Sequence, residues 1–313
     1  MPSMEGVSRI VWEECFATRP GEKALIICDP EGERLEIGQA LLEAGSNICE
    51  CSLVKMQPTG MAGREPSQEA VKAMQGMDII IAPTRNSITH TRAMLRARNG
   101  GARAATMPGI TRDMFLRAVP VDYQEMDRVN GRLIDIVRGG KSITVTSPAG
   151  TDLSLDIMPG RKVCNDNGLI RSAGELNNLP AGEVAIAPRE GSASGTLVVD
   201  MKNGFSPEGR PFRIAIKEGK AISCENKELW ETLTGVENGT NVAELGIGTN
   251  TGAVASGRTL EDEKIRGTAH VAFGTSASLG GAVQTSIHLD FVFSRPTIEV
   301  DGKVIIKQGE FLF

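Results

Sequence analysis

Apolar and polar positions divide the chain into two kinds of pattern. Up to about residue 139, short apolar runs alternate with segments of helical period. Residues 6–18 carry apolar side chains at helical spacing and stop at Pro20-Gly21. Residues 23–29 form a nearly continuous apolar run, as a strand buried on both faces requires. The pattern then predicts a helix at 33–44, a strand at 47–55, a helix at 68–76 and a strand at 77–82. A helix at 89–98, a strand at 102–107 and helices through 137 follow. Strands alternating with helices at this spacing specify an α/β three-layer domain with a mostly parallel sheet.

From Gly139-Gly140 onward the period changes from helical to strand-like. Polar and apolar residues alternate at 142–147 and 151–156 across Pro148-Ala149-Gly150, which reads as a hairpin. Further strands are expected at 183–187, 195–199, 212–217, 242–247, 269–273, 286–293 and 297–300, with a last hairpin at Asp301-Gly302 and one helix at 226–234. The expected organisation is therefore an α/β domain over 1–139 and a mainly antiparallel β domain over 140–313. There is no internal repeat.

Composition narrows the function classes. With 313 residues, a net charge of −5, one tyrosine (Tyr123) and two tryptophans (Trp12, Trp230), the chain has neither a basic run nor an aromatic stacking surface, and no nucleic-acid partner is expected. The longest apolar runs are strand-length, so no membrane span is expected either. Glu5, Glu13 and Glu14 stand where a secretory leader would carry basic residues, and a cytoplasmic location is the expectation. Six cysteines without C-x-x-C spacing read as free structural thiols. The run Gly-Ile-Gly-Thr-Asn-Thr-Gly at 246–252 fits neither dinucleotide nor Walker spacing and lies among strands, so its glycines are read as sites of close backbone approach. No nucleophile elbow occurs in a strand–turn–helix setting, and His90, expected in a helix with Arg92 and Arg96, reads as a surface residue.

The remaining chemistry gathers in the last third. Of three histidines, His270 and His288 lie there. His288 and Asp290 are two apart in a β-rich run, so both side chains leave one face of a strand. An imidazole beside a carboxylate offers borderline nitrogen and hard oxygen donors to a divalent metal. Glu244 and Glu263 precede His270 in similarly apolar, glycine-flanked settings. Glu183 opens another apolar strand, where a buried carboxylate needs a partner or a metal.

Five ordered pieces over 164–308 carry a resemblance: Asn-Leu-Pro-x-x-Glu-Val-x-x-Ala-Pro, Gly-Thr-Leu, Glu-Leu-Gly, Asp-Glu followed by His-x-Ala-x-Gly, and Ile-His-x-Asp. Together they resemble the aminopeptidase T/aminopeptidase S family of metallopeptidases. The resemblance implies a metallo-aminopeptidase with two divalent ions, zinc, cobalt or manganese, held by Glu183, Glu244, Glu263, His270, His288 and Asp290. Glu183 or Glu244 would act as general base on a metal-activated water. The expected partners are a small peptide or amino-acid-derived substrate and a second copy of the chain in a homodimer. Where the peptidases carry a tyrosine after His-x-Ala-x-Gly, residues 275–281 have none. The same superfamily contains the 2,5-dihydroxypyridine 5,6-dioxygenases, which hold one Fe(II) through residues corresponding to His270, His288 and Asp290. The three additional acids favour the hydrolase. A ring-cleaving dioxygenase is the alternative, and a ligand-binding member without activity a second one.

Overall fold

The structure, a computed structural model, describes residues 2–313. It forms two compact units.

The first unit takes the chain up to Tyr123 together with Asp166–Ala181. It begins with α1 (Met4–Ile10), which continues as a π-helical stretch over Val11–Cys15. Then β1 (Lys23–Cys28), α2 (Glu33–Gly45), β2 (Glu50–Lys55), α3 (Gln68–Ala73), β3 (Ile79–Ala82), α4 (Arg92–Asn99), β4 (Arg103–Thr106) and α5 (Arg112–Ala118) alternate as expected. The side-chain oxygens of Ser67, Thr91 and Thr111 accept backbone N–H groups of the first turns of α3, α4 and α5 and so fix where those helices begin. The Thr91 cap starts α4 at Arg92, so His90 lies in the exposed turn before the helix and not within it. β1, β3 and β4 are buried almost throughout, and Leu25, Ile27, Ile80, Met94 and Ala104 share one apolar core.

The chain next enters the second unit with α6 (Tyr123–Gly139), β5 (Ser142–Thr146), β6 (Asp152–Asp156) and β7 (Val163–Asp166), then returns to the first with β8 (Leu176–Asn178). β8 lies parallel beside β4 and completes a parallel sheet of order β2-β1-β3-β4-β8. This differs from a single boundary at 139/140 in two places. α6 packs Leu133, Ile134 and Val137 into the core of the second unit, and the three residues of β8 find their backbone partners in the first.

The second unit continues with β9 (Glu183–Ile186), β10 (Ser194–Val199), β11 (Phe212–Lys217), β12 (Lys220–Cys224), α7 (Lys227–Thr234), β13 (Val242–Gly248), α8 (Thr259–Asp262), β14 (Ala269–Gly274), β15 (His288–Phe293), β16 (Thr297–Val300), β17 (Lys303–Lys307) and β18 (Glu310–Phe311). Eight strands pair in the order β12-β11-β10-β6-β5-β16-β17-β18, and five in the order β15-β14-β13-β9-β7. The two sheets bury one core, Val145, Leu153, Leu197, Ile214 and Ile298 from one, Leu245, Val271, Phe273, Phe291 and Phe293 from the other. Both hairpins form where the turn residues placed them, β5 with β6 and β16 with β17. Asp301, in the second turn, accepts the backbone N–H groups of Lys141 and Ser142. There is no disulfide and no helix long and apolar enough to cross a membrane among the described residues.

Candidate metal centre

β13 is buried along its whole length, so both of its faces are covered. Leu245 and Ile247 face the sandwich core. The alternate residues, Glu244, Gly246 and Gly248, share the opposite face. On that face each chemically capable side chain stands across from a very small one. Glu183 pairs with Gly248, His270 with Gly246, and His288 with Gly274. Glu244 and Asp290 both stand across from Ala272. The glycines are sterically required here. A Cβ on Gly246 would come within 2.1 Å of His270 Cε1, and one on Gly248 within 2.1 Å of the Ile265 carbonyl oxygen.

The side chains converge above this face. Glu244 reaches both imidazoles, with Oε1 3.4 Å from His270 Nε2 and Oε2 2.9 Å from His288 Nε2. Asp290 Oδ1 lies 3.3 Å from His288 Nε2 and 3.9 Å from His270 Nε2. His288 Nδ1 donates to the Thr275 carbonyl at 2.8 Å, which fixes the tautomer and turns Nε2 inward. Glu183 Oε2 is 3.7 Å from His270 Nε2. Two donor sets therefore share His270: Glu244 with Asp290, and Glu183 with Glu263, the atoms of each set lying within 4.8 Å of one another.

Burial and charge perturb every titrating group here, in the metal-free protein. Burial pushes the Glu263 carboxyl up to about 8, against the opposing pull of Lys264 and with help from Asp290 and Glu183. Burial would also raise Glu244, but hydrogen bonds with His270 and His288 outweigh it and hold that carboxyl far below the ordinary range. Asp290 is likewise lowered, burial being overcome by the His288 charge. Desolvation opposes the imidazolium forms, yet the hydrogen bond with Glu244 and the charges of Glu183 and Asp290 lift His270 to about 9. The same forces, led by Asp290 once desolvation is overcome, raise His288 well above its usual value. Imidazoles that hold protons this tightly beside carboxylates are in a field built for positive charge. His270 is 1% exposed and its Nδ1 is buried without a hydrogen-bond partner. Two nitrogen donors, two or more carboxylate oxygens and the outer hydrogen bond to Thr275 fit a divalent cation by donor type.

All six expected residues thus meet in one place. One that sequence reasoning left out meets them. Lys264 is 1% exposed and its Nζ lies 3.0 Å from Glu183 Oε2 and 3.1 Å from Glu263 Oε1. Nothing short-range marks a lysine for burial, since its partner Glu183 is far away in sequence. A surface concavity of about 380 Å³ lined by Phe205, Pro207, Arg210 and Phe212 contains none of these residues.

The family model described as NicX, 2,5-dihydroxypyridine 5,6-dioxygenase, matches residues 10–213. The chain belongs to this family. The matched span includes Glu183 and ends before the other candidate ligands. No curated protein matches the chain in sequence. Among solved structures, the 2,5-dihydroxypyridine dioxygenase of Pseudomonas putida KT2440 superposes with a TM-score of 0.81 at 16% identity, covering 100% of this chain and 98% of that one. Wild-type AmpT of Thermus thermophilus superposes with a TM-score of 0.73 at 15% identity, covering 99% of each chain. At such identities both likenesses concern the fold.

Proposed function

We propose that this NicX-family member is a mononuclear metal-dependent dioxygenase that opens an electron-rich dihydroxylated nitrogen heterocycle of the 2,5-dihydroxypyridine type. The observation that carries the reading is the convergence of His270 Nε2, His288 Nε2 and Asp290 Oδ1, with 3.9 and 3.3 Å from the carboxylate oxygen to the two nitrogens. Two imidazoles and one carboxylate on a rigid sheet are the donor set of non-haem Fe(II) oxygenases. When bound, such an ion supplies the redox and Lewis-acid chemistry that brings oxygen and the ring hydroxyls to reaction.

The chain's own residues have distinct tasks in this reading. His270, His288 and Asp290 hold the ion, and the Thr275 carbonyl keeps His288 in the ligating tautomer. Glu244, between the two imidazoles, is placed to accept a hydrogen bond from a ring hydroxyl as substrate binds. Glu183 is paired with Lys264 and is therefore the weaker candidate for that role. Gly246, Gly274 and Ala272 leave the space that the ligands lean into.

A metallo-aminopeptidase remains the second reading, because Glu183, Glu263 and His270 form another donor set and AmpT shares the fold. Protein stripped of metal and reloaded anaerobically with Fe(II) is expected to consume oxygen with 2,5-dihydroxypyridine and to leave amino-acid p-nitroanilides intact. Hydrolysis of the anilides with zinc, cobalt or manganese, and no oxygen uptake with any dihydroxypyridine, would reverse the order.

A further inference from the structure

The two donor sets that share His270 differ in one respect. Glu244 and Asp290 pair with the imidazoles of His270 and His288, whereas Glu183 and Glu263 are bridged by the ammonium of Lys264. We infer that Lys264 is a built-in substitute for a second metal ion and restricts the centre to one. The inference rests on the metal-centre reading above and adds to it what sets the number of ions.

Carboxylate oxygens ligate divalent ions at about 2.0–2.2 Å. Nζ is already 3.0 and 3.1 Å from the two oxygens such an ion would need, so ion and ammonium would occupy overlapping space with like charge. The ammonium cannot simply swing away. The Lys264 N–H donates to the Glu261 carbonyl at 2.9 Å, and its own carbonyl accepts from Asn250 at 2.8 Å. At 1% exposure the side chain has no solvent to retreat to, and a buried ammonium moved off its carboxylates would be left uncompensated at large cost. Charge gives a second line. Even with Glu263 neutral, Glu183, Glu244 and Asp290 crowd three carboxyl groups around His270, more than a single divalent ion neutralises. An ammonium tethered to the chain supplies positive charge that no chelator removes and that offers no open coordination position. A pair of ions bridging a water is how hydrolases generate hydroxide, so a lysine in the second position selects against that chemistry.

The test counts ions. Full-length protein is stripped with chelator, equilibrated with excess Mn(II), freed of unbound metal and assayed by elemental analysis and by electron paramagnetic resonance. Wild type is expected to bind one Mn(II) per chain, and Lys264→Met to bind two with the spectrum of a spin-coupled pair. Lys264→Gln, which keeps a polar head should the methionine variant fail to fold, carries the same expectation, and Lys264→Arg should stay at one. Two ions in wild type would overturn the inference. So would one ion in wild type and still one in the folded Met and Gln variants, an outcome that leaves the single-ion centre standing. No ion in wild type would bring down the metal-centre reading itself and the inference with it.

Discussion

Gly246 stands directly across the β13–β14 pair from His270, and the imidazole lies over its backbone so closely that a methyl group there would come within 2.1 Å of Cε1. The glycine is therefore a partner of the ligand and not a spacer. Gly246→Ala should push the ring off its position, at a cost of about 1–3 kcal/mol for overpacking a filled site. Metal affinity should fall by about 10–100-fold, as when an outer partner of a ligand is lost. Calorimetric titration of the stripped variant measures this, and wild-type affinity with wild-type stability would show that the ring does not depend on the glycine.

His288 gives a sharper loss. Its Nε2 faces Asp290 and Glu244 while Nδ1 is anchored on Thr275, so the ring is oriented from both ends. It is partly exposed, and its removal leaves the sandwich core of Phe273, Phe291 and Phe293 untouched. His288→Ala is expected to keep the wild-type circular dichroism spectrum and to lose more than about 100-fold in metal affinity, since even outer partners are worth 10–100-fold. Elemental analysis showing unchanged metal content would remove His288 from the centre.

Protons and metal compete for the same imidazoles. In the metal-free protein His270 is lifted to about 9, with burial opposing and the Glu244 hydrogen bond and neighbouring carboxylates prevailing. A raised value means that the ring is still protonated at neutral pH, and the ion must displace that proton. Apparent affinity should then climb from pH 6 to about 9, beyond the point at which an ordinary histidine stops mattering, and metal uptake at pH 7 should release protons. The folded-state sign is the same. The stability that His270 lends the metal-free protein is present at low pH, below the ordinary value, and is lost as pH rises through about 9. An affinity independent of pH above 7 would contradict both statements.

How much of this was legible follows from the range of the interactions. The strand face shared by His288 and Asp290 is a local fact of spacing, and in the structure the two stand on one strand across from Gly274 and Ala272. The alternation of strands with helices pointed to a parallel sheet, and β1 and β3 were legible because they are nearly continuous apolar runs. β8 was not, because three residues of mixed polarity carry no period and their partner β4 is remote in sequence. The burial of Lys264 was hidden for the same reason. The register that pairs each ligand with a glycine or alanine needs the sheet order, which spacing within one strand does not contain.

Glu263 separates the two readings of the centre. Burial raises it to about 8 from an ordinary 4.5, so in the metal-free protein the side chain is neutral at pH 7 and presents Oε1 to Lys264 at 3.1 Å. Glutamine reproduces that neutral form, with an oxygen able to accept from the same ammonium. If one ion is held by His270, His288 and Asp290, Glu263→Gln should retain it with affinity changed by less than about 10–100-fold and should keep oxygen-dependent ring cleavage. If Glu263 instead ligates a second ion, the same change should lower the count from two to one and abolish peptide hydrolysis. Stability gives an independent readout. Wild type must keep protonated in the folded state a group that ionises near 4.5 when unfolded, so its metal-free form should lose stability relative to Glu263→Gln as pH rises from about 4.5 towards 8. Denaturant midpoints of both proteins at pH 5 and pH 8 test this: a difference that does not change with pH would mean that Glu263 is ionised in the folded protein, as a metal-ligating carboxylate would be.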